Sequence, residues 1–267
     1  MDKFFIGSLF SGIGGLELGL EVAIPNAVTA YQCELDAYCR SVLAHHWPDA
    51  RRFKDVRKVG AEDYQGIDLL CGGYPCQDVS YVGKQAGMDG ARSALWGEFA
   101  RIVRALLPRF VVIENTPAIA LYGRGLHEVV AELAACGYAV EWDCISAAAV
   151  GKSHHRDRLF VIGYKPDASN PQRARLEKWA RAPKQRSLAT IARGYGRYAE
   201  SGLQPLVDGV PRKLAGLRKK QLNAIGNAVV PAVGFIVGQR INQYLEAYPN
   251  NESFNGFPGE RGSGLAR

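Results

Sequence analysis

The sequence predicts an α/β protein with a mostly parallel sheet covered by helices on both faces. Short apolar runs alternate with longer amphipathic stretches across residues 1–164, as strands and helices do in such proteins. The first apolar run also leads into a glycine-rich turn and a leucine-rich helix start, which is typical of domains that bind a nucleotide cofactor. Both observations favour a sheet whose strands end at a ligand site.

The predicted elements follow one another along the chain. We expect strands over residues 3–10, 27–34, 67–72, 109–115, 138–146 and 158–164, and helices over 14–24, 35–46, 93–107 and 124–136. The last two strands are expected to pair in antiparallel fashion and close the sheet. Apolar periodicity returns at 214–224 and 230–248, which predicts helices that pack back onto the first domain.

The first strand ends in the glycine-rich turn. Residues 4–10 are mostly apolar, and Gly12, Gly14 and Gly15 follow before the helix. A dinucleotide fingerprint would need Gly at position 17, where Glu17 stands. A carboxylate in the first helical turn is a poor host for a pyrophosphate, so the turn favours an uncharged or cationic nucleoside cofactor over NAD.

A cysteine follows the third predicted strand. Residues 67–71 are largely apolar, and Gly72, Gly73 and Pro75 break the strand just before Cys76. Open α/β sheets bind ligands beyond the carboxyl ends of their strands, so Cys76 stands at a candidate site. Taken alone, a free cysteine is more often a small buried hydrophobe than a nucleophile.

Glu114 stands at the end of the fourth predicted strand, after the apolar run 110–113. A glutamate at a strand end is usually structural when it is seen alone. Here the neighbouring strand end carries Cys76, so a carboxyl group and a thiol are expected at one edge of the sheet.

In this order, the three segments resemble hallmark blocks of the DNA cytosine-5 methyltransferases of bacterial or phage type. Two further segments also resemble blocks of that family, with His154 where the family usually has Gln. The resemblance spans residues 4 to 240, nearly the whole chain. The five blocks are Phe10–Gly15, Pro75-Cys76-Gln77, Glu114-Asn115, His154–Arg158 and Gly226–Pro231.

The resemblance implies a Rossmann-like, S-adenosylmethionine-dependent methyltransferase sheet with a small basic target-recognition segment. We expect a catalytic and cofactor-binding domain at residues 1–164 and a target-recognition segment at 165–212. Residues 213–249 are expected to form helices that return to the catalytic domain. Residues 250–267, rich in Gly, Asn, Ser and charge, are expected to form a disordered tail.

The chemistry of cytosine indicates what the site must supply. Carbon C5 is a poor nucleophile until a thiolate adds to C6, and the resemblance assigns that thiolate to Cys76. Glu114 is expected to protonate or hydrogen-bond the ring nitrogen N3. Arg158 resembles the family arginine that holds the base and supports Glu114. Arg156 is the second candidate for that role. The alternative for one of the two arginines is that it binds only phosphate or a structural carboxylate.

The methyl donor that the resemblance implies is S-adenosylmethionine. Phe10 would pack on the adenine, Glu34 would bind the ribose hydroxyls, and Asp55 would lie near the adenine amino group. Leu95 and Val229 match cofactor contacts of the family, with plain core packing as an equal alternative. The other expected cofactor contacts are Gly12, Ile13, Gly14, Gly15, Gly73, Pro75 and Asn227.

Positive charge is concentrated in one segment. Residues 165–220 hold 14 Lys or Arg and 4 Asp or Glu, whereas the whole 267-residue chain has a net charge of +7. Trp179, Tyr195 and Tyr198 lie among these cations. A modest basic cluster is usually a solvated face, but an imbalance of this size favours a polyanionic partner.

The expected partner is double-stranded DNA. The target base must rotate out of the helix, since a paired base cannot reach such a pocket. Residues 77–92 carry several glycines and are expected to form a mobile loop that closes over the DNA. The expected DNA contacts are Gln77, Ser80, Lys84, Arg92, Arg186, Arg193 and Arg197.

Composition and cysteine spacing complete the expectations. No apolar run of about 18 residues and no secretory signal occur, so a cytoplasmic protein without a membrane span is expected. Six cysteines show no C-x-x-C spacing, which favours reduced thiols and no metal. We expect a monomer, and a cognate restriction endonuclease is a further candidate partner. Two alternatives are an RNA (tRNA) cytosine-5 methyltransferase and a catalytically inactive DNA-binding protein of the same fold.

Overall fold

The structure is a computed structural model that describes residues 2–75, 91–121, 125–151, 156–165, 220–221, 224 and 227–247, without the side chains of residues 91–94 and 121. Its strands are β1 (Phe4–Leu9), β2 (Ala27–Cys33), β3 (Arg51–Phe53), β4 (Leu69–Gly72), β5 (Phe110–Asn115), β6 (Ala139–Ser146) and β7 (Asp157–Tyr164). The described α-helices are α1 (Gly15–Ala23), α2 (Ala37–His46), α3 (Ala91–Leu106), α4 (Ala118–Leu121), α5 (Leu126–Ala135) and α6 (Pro231–Ala247). Short 3-10 helices cover Val56–Lys58, Ala61–Tyr64 and Ala147–Val150.

The seven strands form one sheet in the order β3-β2-β1-β4-β5-β7-β6. The strands β1 to β5 are parallel to their neighbours among themselves, whereas β7 runs antiparallel to both β5 and β6. From β1 the chain moves outward to β2 and β3, and then returns to β4 on the other side of β1. The sheet therefore has a topological switch point between β1 and β4, which is where open α/β sheets bind ligands.

Two apolar layers cover the sheet. The first packs Leu69 and Val112 against helices α1 and α6, and the second packs Leu70 and Val111 against helices α3 and α5. Successive strand residues thus point into opposite layers. Burial on both faces explains why β4, β5 and most of β7 read as nearly continuous apolar runs in the sequence.

Glycines let helix α6 approach helix α1 closely. A Cβ atom at Gly15 would overlap the carbonyl oxygen of Val229, and one at Gly19 would overlap that of Pro231. Only glycine allows a backbone approach of this kind. The C-terminal block at 227–231 is therefore held against the start of α1, at the ligand-binding edge of the sheet.

The predicted fold class is confirmed, and so is the antiparallel closing pair, which is β6 and β7. The sequence did not predict β3 or α4. The first has only three residues, two of them arginine, and the second has only four, so neither carries a readable periodicity. Of the predicted helix at 214–224, positions 220, 221 and 224 are described and are helical.

Candidate active site

The turn after β1 lies at the switch point and has an unusual backbone. Phe10, Gly12 and Gly14 have φ angles of 55°, 57° and 85°, all in the left-handed region. This region is open to glycine but strained for a bulky aromatic residue such as Phe10. Backbone strain of this kind is concentrated at ligand-binding sites.

Glu34 fixes the same turn from the end of β2. Its Oε2 accepts the backbone N–H of Gly12 at 2.7 Å, and its Oε1 accepts the backbone N–H of Asp36 at 2.8 Å. A carboxylate has about four acceptor positions, so each oxygen can still accept a hydroxyl. Glu34 can therefore hold the turn and bind ribose hydroxyls at the same time.

Open space and close packing alternate along the turn. A Cβ atom at Gly12 would have no heavy atom within 4 Å, whereas one at Gly14 would overlap the ring of Trp47. Gly15 is closed off by Val229, as described above. The backbone of Gly12 therefore borders open space, whereas Gly14 and Gly15 are packed tightly against Trp47 and Val229.

Asp55 follows β3 at the same edge of the sheet. Its carboxylate receives hydrogen bonds from Arg57 Nε at 2.9 Å and Nη2 at 2.7 Å, and from the backbone N–H of Arg57 at 3.1 Å. These hydrogen bonds lower the pKa of Asp55 to about 2. The carboxylate is thus ionised at neutral pH and can accept an amino group as well.

Apolar side chains border this edge of the sheet. Phe10, Leu95 and Tyr74 are partly buried and pack against the second apolar layer. The rings of Tyr74 and Trp96 lie 5.5 Å apart. Leu95 therefore belongs to the core and to the border of the site at once.

The second half of the site joins the ends of β4, β5 and β7. Gly72 lies opposite Ile113, which places Gly73 beside Glu114. A Cβ atom at Gly73 would overlap Glu114 Oε2. On the other side of the carboxylate, Arg158 Nε lies 2.8 Å from Glu114 Oε1.

The environment of Glu114 favours its acid form. Burial raises the pKa of the Glu114 carboxyl, and the positive charges of Arg158 and Arg156 oppose that shift. The buried Glu114 carboxyl therefore holds its proton more strongly than a glutamate in water does. This is the property that a proton donor to a ring nitrogen requires.

Asn115 positions the turn that precedes Cys76, a role that the sequence did not predict. Its side chain is 3% exposed. Its Nδ2 donates to the Tyr74 carbonyl at 3.4 Å, and its Oδ1 accepts the backbone N–H of Thr116 at 2.8 Å. The amide next to Glu114 at a strand end was the available clue, but no spacing rule shows which backbone it holds.

Glu17 does not face the ligand site. Its side chain is 1% exposed and points between α1 and the sheet. The charge of Glu17 therefore does not disfavour a pyrophosphate as the sequence suggested, because this buried side chain lies under the turn and does not meet a ligand above it.

Several predicted site residues lie outside the described part of the chain. For Arg92 only the helical backbone is described. Among the described positions, Pro75 and Asn227 are exposed, while Val229 is partly buried and packs against the first apolar layer. The predicted site residues that are not described are Cys76, Gln77, Ser80, Lys84, His154, Arg186, Arg193 and Arg197. The predicted loop at 77–92 up to residue 90, nearly all of the predicted segment 165–212 and the predicted tail at 250–267 also lie outside the described residues.

The sheet order and its two-part site at the switch point define a methyltransferase-type α/β protein. The model of the C-5 cytosine-specific DNA methylase family matches residues 4–201. This match covers most of the chain, and the chain belongs to that family. The predicted membership is thereby confirmed.

Individual relatives agree with this assignment. The type II methyltransferase M.NgoBV of Neisseria gonorrhoeae is 31% identical over an alignment of 185 residues, and the match covers 63% of this chain and 44% of that protein. The chain thus spans less than half the length of this relative. The structure of a prophage-encoded protein (E. coli) is 29% identical, with a TM-score of 0.52, and the match covers 61% of this chain and 47% of that one. The Entamoeba histolytica methyltransferase EhMeth shares the fold at 14% identity, with a TM-score of 0.63 over 92% of this chain and 99% of its own.

S-adenosylmethionine is the methyl donor of this family, so membership of the family confirms the predicted cofactor. The geometry of the turn fits it. The open backbone at Gly12 can receive the methionine part, and the Glu34 carboxylate retains acceptor positions for the ribose. Among the residues that the structure describes, no group of three or more His, Cys, Asp or Glu could hold a metal ion. In the same residues, no helix is both long enough and apolar enough to cross a membrane.

Proposed function

We propose that this chain is a DNA (cytosine-5-)-methyltransferase that transfers a methyl group to C5 of a flipped cytosine through a covalent bond between Cys76 and C6. The observation that carries this proposal is the Glu114 carboxyl, held between Arg158 and the backbone of Gly73. Cys76 follows three residues after Gly73 in the sequence. A proton donor and a thiol are therefore expected on the two sides of one base-sized site.

In this mechanism the Cys76 thiolate attacks C6 of the cytosine ring. Glu114 donates a proton or hydrogen bond to N3, which stabilises the negative charge that the attack delivers to the ring. Arg158 holds the Glu114 carboxyl in place and contacts the base, and Arg156 adds positive charge beside it. Once C5 carries the methyl group, its proton is lost to water, the electron pair of that C–H bond expels the thiolate, and N3 returns its proton to Glu114 as the aromatic ring is restored.

The cofactor supplies the electrophilic methyl group when it is bound. Phe10 would pack on its adenine, Glu34 would bind the ribose hydroxyls, and Asp55 would accept a hydrogen bond from the adenine amino group. The remaining wall comes from the glycine turn 12–15, Gly73, Pro75, Leu95, Asn227 and Val229. This set combines the two ends of the chain, because α6 holds residues 227–231 against Gly15.

The DNA-facing parts of the proposal rest on the sequence. Residues 165–212 would select the site, and residues 77–92 would close over the flipped base. Most of the cations in 165–220 would contact phosphates, and a few would contact base edges. The protein would act as a cytoplasmic monomer, either alone or with a cognate restriction endonuclease.

The experiment is bisulfite sequencing of DNA from an otherwise unmethylated host, with and without expression of the chain. The proposal predicts new 5-methylcytosine at one short recurring sequence. Sequencing of bisulfite-treated tRNA from the same cells is the control for the RNA alternative. Methylation confined to tRNA would contradict the DNA assignment and favour that alternative.

A further inference from the structure

A buried polar layer lies directly below the cofactor-binding turn, between α1 and the sheet. Glu17 is 1% exposed, and its Oε1 has no hydrogen-bond partner among the described residues. Gln32 on β2 is fully buried, and its amide nitrogen and oxygen both lack partners within the same residues. The Thr29 hydroxyl, 2% exposed, is also unpartnered there. Buried polar groups without partners are rare in folded proteins, and each one calls for an explanation.

The strand register brings these side chains together. Ser8 on β1 lies opposite Gln32 on β2 and opposite Cys71 on β4. Cys71 belongs to the apolar layer that packs under α1. Because side chains opposite one another share a face of the sheet, Ser8 and Gln32 also face α1. Glu17 reaches down from α1 to the hydroxyls of Ser8 and Ser11.

Ser11 connects this layer to the cofactor turn. Its hydroxyl donates to Ser8 Oγ at 2.9 Å, and its backbone N–H donates to the Cys33 carbonyl at 3.1 Å. Its own carbonyl accepts the backbone N–H of Gly14 at 3.0 Å. Gly12 follows Ser11 directly, so a shift of the Ser11 side chain changes the backbone that faces the ligand.

The surroundings of Glu17 favour its uncharged form. Burial raises the pKa of Glu17 to about 7, the Ser8 and Ser11 hydroxyls lower it, and the charge of Glu21 raises it further. The Cys71 thiol faces Glu17 from the sheet, and Tyr64 interacts with it electrostatically from the opposite apolar layer; burial raises the pKa of both, so both stay neutral. Helix α6 presents glycine backbone to α1 at this level.

We propose that Glu17 is a positioning residue for the cofactor turn. Its uncharged carboxylic acid, hydrogen-bonded within the polar layer, holds Ser8 and Ser11 in the arrangement that binds S-adenosylmethionine. Ionisation places an uncompensated charge in the layer and shifts Ser11, which weakens cofactor binding. This inference rests on the cofactor site of the proposed function and adds a protonation requirement to it.

The test is isothermal titration of the full chain with S-adenosylmethionine from pH 6 to pH 8.5. If only the uncharged form binds, the dissociation constant should rise about thirtyfold over this range. Glu17→Gln, which cannot ionise, should lose that dependence and keep only the part caused by the cofactor's own amino group. Glu21→Gln is the matched control on the same helix, and it should keep the dependence with its midpoint at lower pH.

A second readout uses the unaltered protein. Titration at pH 7.5 in buffers of different ionisation enthalpy measures protons taken up on binding, and the proposal predicts an uptake of about 0.8 proton through Glu17. Ser11→Ala should reduce this uptake, because it breaks the link between Glu17 and the turn. The absence of proton uptake in the parent, or parallel pH profiles for the parent and Glu17→Gln, would overturn the proposal while leaving cofactor binding intact. A parent chain that binds no cofactor at any pH would overturn both this inference and the proposed function.

Discussion

Arg158 Nε lies 2.8 Å from Oε1 of Glu114, and the other oxygen of the same carboxylate faces the backbone of Gly73. Arg158 thus binds the carboxyl on one side, and the lack of a side chain at Gly73 leaves room for it on the other. This arrangement aims one acid at the turn that leads to Cys76.

Glu114→Gln should slow the chemical step and leave cofactor affinity nearly unchanged. Proton donors of this kind contribute about 10²–10⁴-fold to rate, and an amide cannot donate a proton to N3 in the same way. Single-turnover rates at saturating DNA and cofactor measure the first effect, and titration with cofactor measures the second. Equal losses in rate and affinity would make Glu114 a structural or cofactor-binding residue.

Gly73→Ala tests the same carboxyl from the other side. The added methyl group would overlap Glu114 Oε2, so the carboxylate must turn away from its position between Gly73 and Arg158. We expect a rate loss approaching that of Glu114→Gln. The double variant should be little worse than either single variant, because both changes remove one interaction. Additive losses would mean that Gly73 acts independently of Glu114.

Gly12→Ala should lose cofactor binding, whereas Gly15→Ala should lose folding stability. A Cβ atom at Gly12 meets no protein atom, so the variant should fold with a modest cost of about 1–2 kcal/mol for its left-handed backbone. It should nevertheless lose cofactor binding, since the methyl group fills the open space above the turn. At Gly15 the methyl group overlaps the Val229 carbonyl, so stability should fall first. Thermal unfolding and cofactor titration of both variants distinguish the two effects.

Folding stability should depend on pH through Glu17. Its pKa rises from 4.5 to about 7 in the folded chain, so between these values the folded state binds more protons than the unfolded state. Stability is then greatest below the lower value and falls as pH rises, by about 3 kcal/mol in total. The Glu17→Gln variant should lack this part of the slope in denaturant unfolding at several pH values. Identical slopes in the two proteins would contradict the burial of an ionisable Glu17.

The pair of Arg240 and Glu141 should anchor helix α6 to the edge strand β6. The side chain of Arg240 is 4% exposed, and its Nε and Nη2 each donate to Glu141 at 2.7 Å. Glu141→Ala leaves a buried guanidinium without this partner, and we expect a loss of about 3 kcal/mol. Arg104→Ala, which breaks the more exposed pair with Glu132, is the control and should cost at most ~1 kcal/mol. Similar losses in both variants would contradict the anchoring role.

The sequence predicted the fold well because burial on both faces of the central strands leaves short apolar runs, and glycine or proline follows β1, β4 and β5 closely. The turn at 10–15 and Glu114 were predicted for a related reason, since the turn directly follows β1 and Glu114 lies at the end of β5. Asn115 and Glu17 show the limit of such reasoning. The first acts through a carbonyl 41 residues away, and the second acts from beneath the turn, so only the folded neighbours reveal what they contact.

The most direct test of the account is mass spectrometry of nucleosides from unmethylated DNA after incubation with the purified chain and S-adenosylmethionine that carries an isotope-labelled methyl group. We predict labelled 5-methyldeoxycytidine from the parent chain, and none from Cys76→Ser although that variant still binds DNA and cofactor. A rate for Cys76→Ser within about tenfold of the parent, a difference of only ~1.4 kcal/mol, would contradict the covalent mechanism. A parent chain that labels no cytosine, or labels it at the exocyclic amino group, would contradict the proposed function itself.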